Sequence, residues 1–168
     1  MIENKLAPHT VMIECGDNNN EEFCAVKINS FEPPVVIMGI YGPRNSIKKK
    51  EMDEAWNKFK GIWKKYVDQG CTVIVAGDLN AAIGNSLGLT NNHDSKNRAG
   101  ELLIEAVEEL DLHVLNKMEN NDQRTHVDRS NQGSSRCLDY IITNNISLCQ
   151  ETKVDNELLA TPYCVILD

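Results

Sequence analysis

Apolar and polar residues alternate over residues 11–14 and 24–29, and the stretch between them, Gly16-Asp17-Asn18-Asn19-Asn20, consists of turn formers. That pattern predicts a β-hairpin. After Pro33-Pro34, the run Val35-Val36-Ile37-Met38-Gly39-Ile40-Tyr41 is apolar on both faces, as in a strand covered on both sides, and it stops at Gly42-Pro43. Met52, Ala55, Trp56, Phe59, Ile62, Trp63 and Tyr66 then recur at three- and four-residue spacing. This predicts an amphipathic helix over 47–69, with Ser46 as its N-cap and Gly70 as its C-terminal stop. Residues 71–77, Cys-Thr-Val-Ile-Val-Ala-Gly, predict a second buried strand. A polar loop over 84–98 leads to a second helix over 98–110, with Leu102, Leu103, Ala106, Val107 and Leu110 inward. Short strands are predicted over 112–115, 138–143 and 163–167. Helices and strands alternate unevenly behind an opening hairpin, which suits a layered α/β (α+β) sandwich better than a regular doubly wound parallel sheet. No repeat, low-complexity tract or linker interrupts residues 1–168, which read as a single domain.

Composition agrees with that reading. The chain has 168 residues, 41% apolar and 25% charged, ordinary for one globular domain. A net charge of -8 argues against a generic nucleic-acid coat, which needs a basic face, but not against an enzyme that meets phosphate through carboxylates and a metal. No apolar run approaches the roughly 18–20 residues of a membrane span, and the first residues lack the pattern of a secretory signal, so no membrane association is expected. The six cysteines contain no C-x-x-C pair, which disfavours zinc. They read mostly as buried free thiols of an intracellular protein, nuclear or cytoplasmic; a Cys15–Cys24 bridge across the hairpin is the competing reading.

Three segments carry candidate chemistry. In Val73-Ile74-Val75-Ala76-Gly77-Asp78-Leu79-Asn80-Ala81, a buried strand delivers a carboxylate and then a carboxamide. Period-2 alternation places Asp78 and Asn80 on one face, with Gly77 leaving room for a substrate. A turn is the plainer reading of the same residues. In Arg136-Cys137-Leu138-Asp139-Tyr140-Ile141-Ile142, Asp139 interrupts an apolar strand, where a carboxylate needs a fixed partner. That partner is a histidine, or Arg136 or Arg98 in a structural ion pair. The strand end Ile40-Tyr41-Gly42-Pro43-Arg44-Asn45 offers a phenol and a guanidinium to an anion. Lys48, Lys49, Lys50, Lys58, Lys60, Lys64 and Lys65 make the first helix locally basic, either as a solvated face or as a phosphate-tracking one.

In this order, Tyr41-x-Pro43, Gly77-Asp78-Leu79-Asn80, Asn97-Arg98-Ala99-Gly100-Glu101-Leu102-Leu103, Thr125 and Arg136-x-Leu138-Asp139-Tyr140 are similar to the motifs of one family. With Tyr163-Cys164-Val165-Ile166 as a last strand, the chain resembles, over about residues 10 to 168, the endonuclease/exonuclease/phosphatase superfamily. Within it, the likeness is to the apurinic-type endonuclease domain of non-LTR retrotransposons, which accompanies a reverse transcriptase. The resemblance implies a four-layer αββα sandwich of the DNase I-like type, here lacking its first strand-helix-strand. It also implies Mg²⁺- or Mn²⁺-assisted hydrolysis of DNA phosphodiesters. Asp78 would orient or deprotonate the attacking water and serve, weakly, as a metal ligand. Asn80 would hold that water, Tyr41 would donate to a phosphate oxygen, and Asp139 would orient a catalytic histidine. Arg44 and Arg98 are the candidate substrate-binding residues.

Two departures imply an impaired or inactive enzyme. Thr161-Pro162-Tyr163 stands where the family has Ser-Asp-His, and a phenol titrating near 10 does not replace an imidazole. The family's metal-binding glutamate has no counterpart, and Asp78 alone is a poor site for Mg²⁺. An uncovered sheet face implies self-association or another protein chain as a cover. The alternative function is a non-catalytic protein- or nucleic-acid-binding module on the same fold.

Overall fold

The computed structural model describes residues 7–18, 21–87, 95–117, 126–127, 135–148, 152–154 and 165–167. The opening hairpin pairs β1 (Thr10–Asn18) antiparallel with β2 (Glu21–Ile28). Its strands run longer than the alternation predicts, absorbing Gly16, Asp17 and Asn18. β2 pairs antiparallel with β3 (Val35–Tyr41), and α1 (Lys49–Asp68) then crosses over to β4 (Thr72–Asp78), parallel to β3. After α2 (Arg98–Glu109) come β5 (His113–Val114), β6 (His126–Val127), β7 (Ser135–Arg136) and β8 (Asp139–Thr143). The chain closes with β9 (Thr152–Val154) and β10 (Val165–Leu167). One six-stranded mixed sheet runs in the order β1-β2-β3-β4-β8-β5, and β6/β7 and β9/β10 form two small antiparallel sheets.

The helices form where the 3.6-residue pattern places them, and both bury their apolar stripes on the same side of the large sheet. Trp56, Phe59, Trp63 and Tyr66 of α1 and Leu103, Ala106 and Val107 of α2 join Val36, Met38, Val73, Val75, Tyr140 and Ile142 in one core. Trp56 stands edge-on to both Phe59 and Trp63, an arrangement ring quadrupoles favour. Lys48, not Ser46, is the N-cap of α1, and it makes no side-chain cap bond. The C-terminus is closed as expected at Gly70, whose amide donates to Val67 while that of Cys71 reaches back to Tyr66. The lysines of α1 are met by acids: Lys60 by Glu109, Lys64 by Asp68 and Lys65 by Glu14. Lys58 lies over the Phe23 ring.

Cys71 and Cys137 are buried as expected, Cys15 and Cys24 are exposed free thiols, and Cys149 and Cys164 lie outside the described residues. Cys24 alternates with the buried Phe23 and Ala25 of β2, so it and its partner Cys15 on the edge strand β1 face away from the helices. Among the described residues, no helix is long and apolar enough to cross a membrane.

Candidate functional site

Three strands end together. Tyr41, Asp78 and Asp139 are consecutive cross-strand partners on β3, β4 and β8, so register alone sets them in one row along an edge of the sheet. Partners in a row face the same way. Strand spacing puts Tyr41 about 9.5 Å from Asp139, with Asp78 between them. Tyr41 is 39% exposed, and Asp78 and Asp139 are half-buried. Glu22 of β2, also exposed, extends the row beyond Tyr41.

Asn80 joins this row by a different route from the one its spacing predicts. The strand stops at Asp78, and Asn80 adopts a left-handed backbone (φ 50°), so the shared-face argument fails. What replaces it is an Asx turn, in which the Asn80 amide donates to Asp78 Oδ1 at 2.9 Å. The Asn80 side chain donates to the carbonyl of Gly42 at 2.8 Å, tying the ends of β3 and β4 together. Gly77 also serves a purpose other than the predicted one. Its φ of 142° and the approach of the Ile40 carbonyl leave no space for a Cβ, so the glycine accommodates β3 rather than a substrate.

The segment after Asp78 lacks regular structure yet is fully buried at Leu79, Ala81 and Ile83. Buried backbone must be satisfied, and Asn97 does much of that work as the N-cap of α2. Its Oδ1 accepts from Gly100 N at 2.7 Å and Ala82 N at 3.0 Å, and its Nδ2 donates to the Asn80 carbonyl and to Asn45 Oδ1, both at 2.9 Å. One carboxamide thus joins the start of a helix, the Asp78–Asn80 turn and the loop after Tyr41. Tyr140, next to Asp139, points into the core, where its hydroxyl reaches the carbonyls of Ala81 and Cys137 at 2.7 Å. Burial pushes its phenol well above the ordinary value. Asn116 holds Asp139 from the other side: Nδ2 donates to the Asp139 carbonyl at 2.8 Å, and Oδ1 accepts from Ile141 N at 3.0 Å. Sequence reasoning noticed Asn97 only as a helix start and missed Asn116 and Asn45 altogether. An Asn just before an apolar helical run is the one signal that marks Asn97.

The two candidate arginines part company. Arg44 is exposed just past Tyr41. Arg98 instead links the helices, its Nε donating to Asp53 at 2.8 Å and its Nη1 to Glu101 at 3.0 Å; these bonds raise its pKa further above the usual value. Arg98 thus ties α2 to α1 through Asp53 and braces the first turn of α2 through Glu101. Thr125 and the 161–163 triplet lie outside the described residues.

A hard cation is the cofactor this donor set invites. Carboxylates directly opposite each other across strands repel, and a cation between them relieves the repulsion. Mg²⁺ takes one or two protein carboxylates when phosphate and water complete its octahedron. Asp78 and Asp139 meet that requirement, while no group of three His, Cys, Asp or Glu suited to a metal occurs among the described residues.

No protein-family model matches this chain, and no curated protein matches it. Solved structures do. The 3'-5' exonuclease NExo from Neisseria meningitidis superposes with a TM-score of 0.68 at 15% identity, covering 90% of this chain and 66% of that one. A variant of the 3' phosphatase NExo from Neisseria bound to product DNA hairpin gives 0.69 at 14% identity, covering 95% and 72%. An AP endonuclease from Archaeoglobus fulgidus gives 0.66 at 16% identity, covering 94% and 70%. At such identities the likeness is one of fold: the chain has the α/β, DNase I-like fold of the endonuclease/exonuclease/phosphatase proteins. It spans about two-thirds of the length of these structures, 66–72%.

Proposed function

We propose that this chain is a DNA phosphoester domain of endonuclease/exonuclease/phosphatase type and retrotransposon-endonuclease descent, in which phosphate recognition is kept and hydrolysis is impaired. The observation that carries this reading is the row Tyr41–Asp78–Asp139, with Asn80 fixed beside it at one edge of the sheet. In it, the Tyr41 phenol donates to a phosphate oxygen and Arg44 meets the neighbouring negative charge. Asp78 orients the attacking water from the oxygen not engaged by the Asn80 amide. The second Nδ2 hydrogen of Asn80 is directed to the transition-state oxygen. Asp78 and Asp139 would hold a divalent cation, which would supply positive charge to offset that of the phosphate. Impairment follows from Pro162 and Tyr163, which supply neither a carboxylate nor an imidazole where the resembled motif has both. The DNA hairpin bound to the Neisseria phosphatase supports DNA as the ligand class. Such a role is intracellular, nuclear or cytoplasmic.

The test pairs a plasmid-nicking assay, in Mg²⁺ and in Mn²⁺, with fluorescence anisotropy on a DNA hairpin. Binding that weakens in Tyr41→Phe and Arg44→Ala, with little or no nicking, is the expected result. Nicking abolished by both Asp78→Ala and Asn80→Ala would show a working nuclease and overturn the impairment. Nicking that survives both comes from a contaminant. Absence of hairpin binding would sink the reading.

A second reading has its own support. On the sheet face away from the helices, Met12 is 66% and Ile37 38% exposed. Apolar area of this kind marks interaction sites. The corresponding function is a non-catalytic binding module whose cover is a second copy or another protein chain. Sedimentation velocity tests the second-copy form of this reading, because a monomer at every concentration removes self-association.

A further inference from the structure

Cys15 and Cys24 are direct partners in the antiparallel β1/β2 register, and both are exposed. Opposed residues of antiparallel strands have Cα atoms about 4.5 or 5.5 Å apart, depending on the hydrogen-bond class of the pair. Both values lie within the range of about 4.4–6.8 Å that a disulfide spans without backbone movement. The next residue in the same row is Gly39, which is exposed, with open space where a Cβ would stand. The row beyond that holds Glu22, Tyr41 and Asp78. An oxidant therefore meets an uncovered thiol pair with no side chain on Gly39 to block it. We propose that Cys15 and Cys24 are a two-thiol oxidation site for a hydroperoxide, closing to an intramolecular disulfide on the open face of the sheet. This does not depend on the phosphoester reading.

The chemistry balances in two steps. The Cys15 sulfur attacks the peroxide oxygen, breaking the O–O bond and giving a sulfenic acid and, from hydrogen peroxide, one water. The Cys24 sulfur then displaces the sulfenic oxygen as a second water, forming the S–S bond. Two thiols lose two hydrogens and two electrons, and the peroxide is reduced to water. Loss of solvation, together with the hydrogen bond to Cys15, holds the Cys24 thiol above its ordinary pKa. Cys15 lies on the edge strand β1 and Cys24 on the inner strand β2, so Cys15 is assigned as the first nucleophile and Cys24 as the resolving partner; closure accelerates as pH rises because it needs a thiolate.

The test is peptide mapping of the whole reduced chain after hydrogen peroxide treatment and alkylation, without reductant. The expected product is a Cys15–Cys24 crosslink within one chain, lighter by two hydrogens and reopened by dithiothreitol. In Cys24→Ser, the expected product is a sulfenic acid at Cys15 that dimedone traps. Alkylation of both thiols as free groups after treatment would overturn the proposal. So would crosslinks that join two chains, or a bridge from Cys15 to another cysteine. A sulfenic acid trapped at Cys24 in Cys15→Ser, with none at Cys15 in Cys24→Ser, would overturn the assigned order.

Discussion

The same strands build both faces of the six-stranded sheet, yet the faces end up in different surroundings. On the helix side Val36, Met38, Val73, Val75 and Ile142 are almost wholly buried beneath α1 and α2. On the other side, the β4–β8 end forms a small cluster of Ile74, Ala76, Leu115 and Ile141, whereas Met12 and Ile37 at the β1–β3 end meet solvent. The strands of β3 and β4 read as apolar on both faces, a pattern that belongs to sheets covered on both sides. Among the described residues, that cover is present over Ile74 and Ala76 and absent over Met12 and Ile37.

The largest effect expected from this contrast comes from truncation on the helix side. Trp63 is fully buried, and its Nε1 donates to Met38 Sδ. Trp63→Ala should cost about 3–5 kcal/mol in urea unfolding, from lost burial and the cavity left behind. Ile37→Ala, on the open face of the next strand position, should cost less than about 1 kcal/mol. A cost for Ile37→Ala equal to that of a core truncation, rising with protein concentration, would mean that a second copy covers the open face.

Next in size is the clamp at the site. Asn97→Ala removes the helix cap and leaves the Ala82 amide without its acceptor, a loss of about 1–3 kcal/mol. Asn97→Asp keeps both accepted bonds and removes only the donations to Asn80 and Asn45. It should retain most of the stability while weakening hairpin binding at the Asp78–Asn80 turn. Thermal midpoints and anisotropy on the two variants check this. Equal loss of stability in both would assign Nδ2, rather than Oδ1, the larger structural share.

These two variants also mark how far the sequence could be read. Both helices and the hairpin were legible because a hydrophobic period of 3.6 or 2 survives without knowledge of the fold. Tyr41 and Asp78 stood out as residues at the ends of apolar strands and Asp139 as a carboxylate interrupting one. That register places them side by side was not legible, because register is settled between strands and not within them. Asn116 and Asn144 escaped, and Asn97 was marked only as a helix start, for another reason. Each is a side-chain amide acting as a stand-in peptide, as when Asn144 accepts from Val73 N and donates to the Cys71 carbonyl. Such a role leaves no periodic trace. The strand-face argument for Asn80 failed because the strand stops at Asp78 and a local side-chain bond turns the chain there.

A smaller effect should separate the buried side of β8 by pH. The Tyr140 phenol is held well above its ordinary 10.0 by burial, so the unfolded chain ionises it first. Above pH 10 the unfolded state then carries fewer protons than the folded one, and stability falls as pH rises, by up to about 1.4 kcal/mol per unit from this group. Below that range both states keep the proton, and Tyr140 adds no pH dependence. Tyr140→Phe should cost about 0.5–1.5 kcal/mol near neutrality through its lost hydrogen bond. It should also unfold with a shallower alkaline slope, so wild type and variant converge as pH rises. Parallel alkaline slopes in urea midpoints would refute the assignment.

The smallest effect lies on the outer surface of the helix layer. Lys60 and Glu109 join α1 to α2 at 2.7 Å, with side chains 29% and 51% exposed. Solvent screens such a pair, and ordering two long side chains offsets much of the attraction, so a double-mutant cycle to alanine should give only about 0.2–1 kcal/mol of coupling. The value should fall as salt is added. The helices meet over a shared apolar core, and that core holds them on the sheet. A coupling of several kcal/mol, insensitive to salt, would instead make the charged rim a principal tie between them and weaken the contrast between a covered face and an open one.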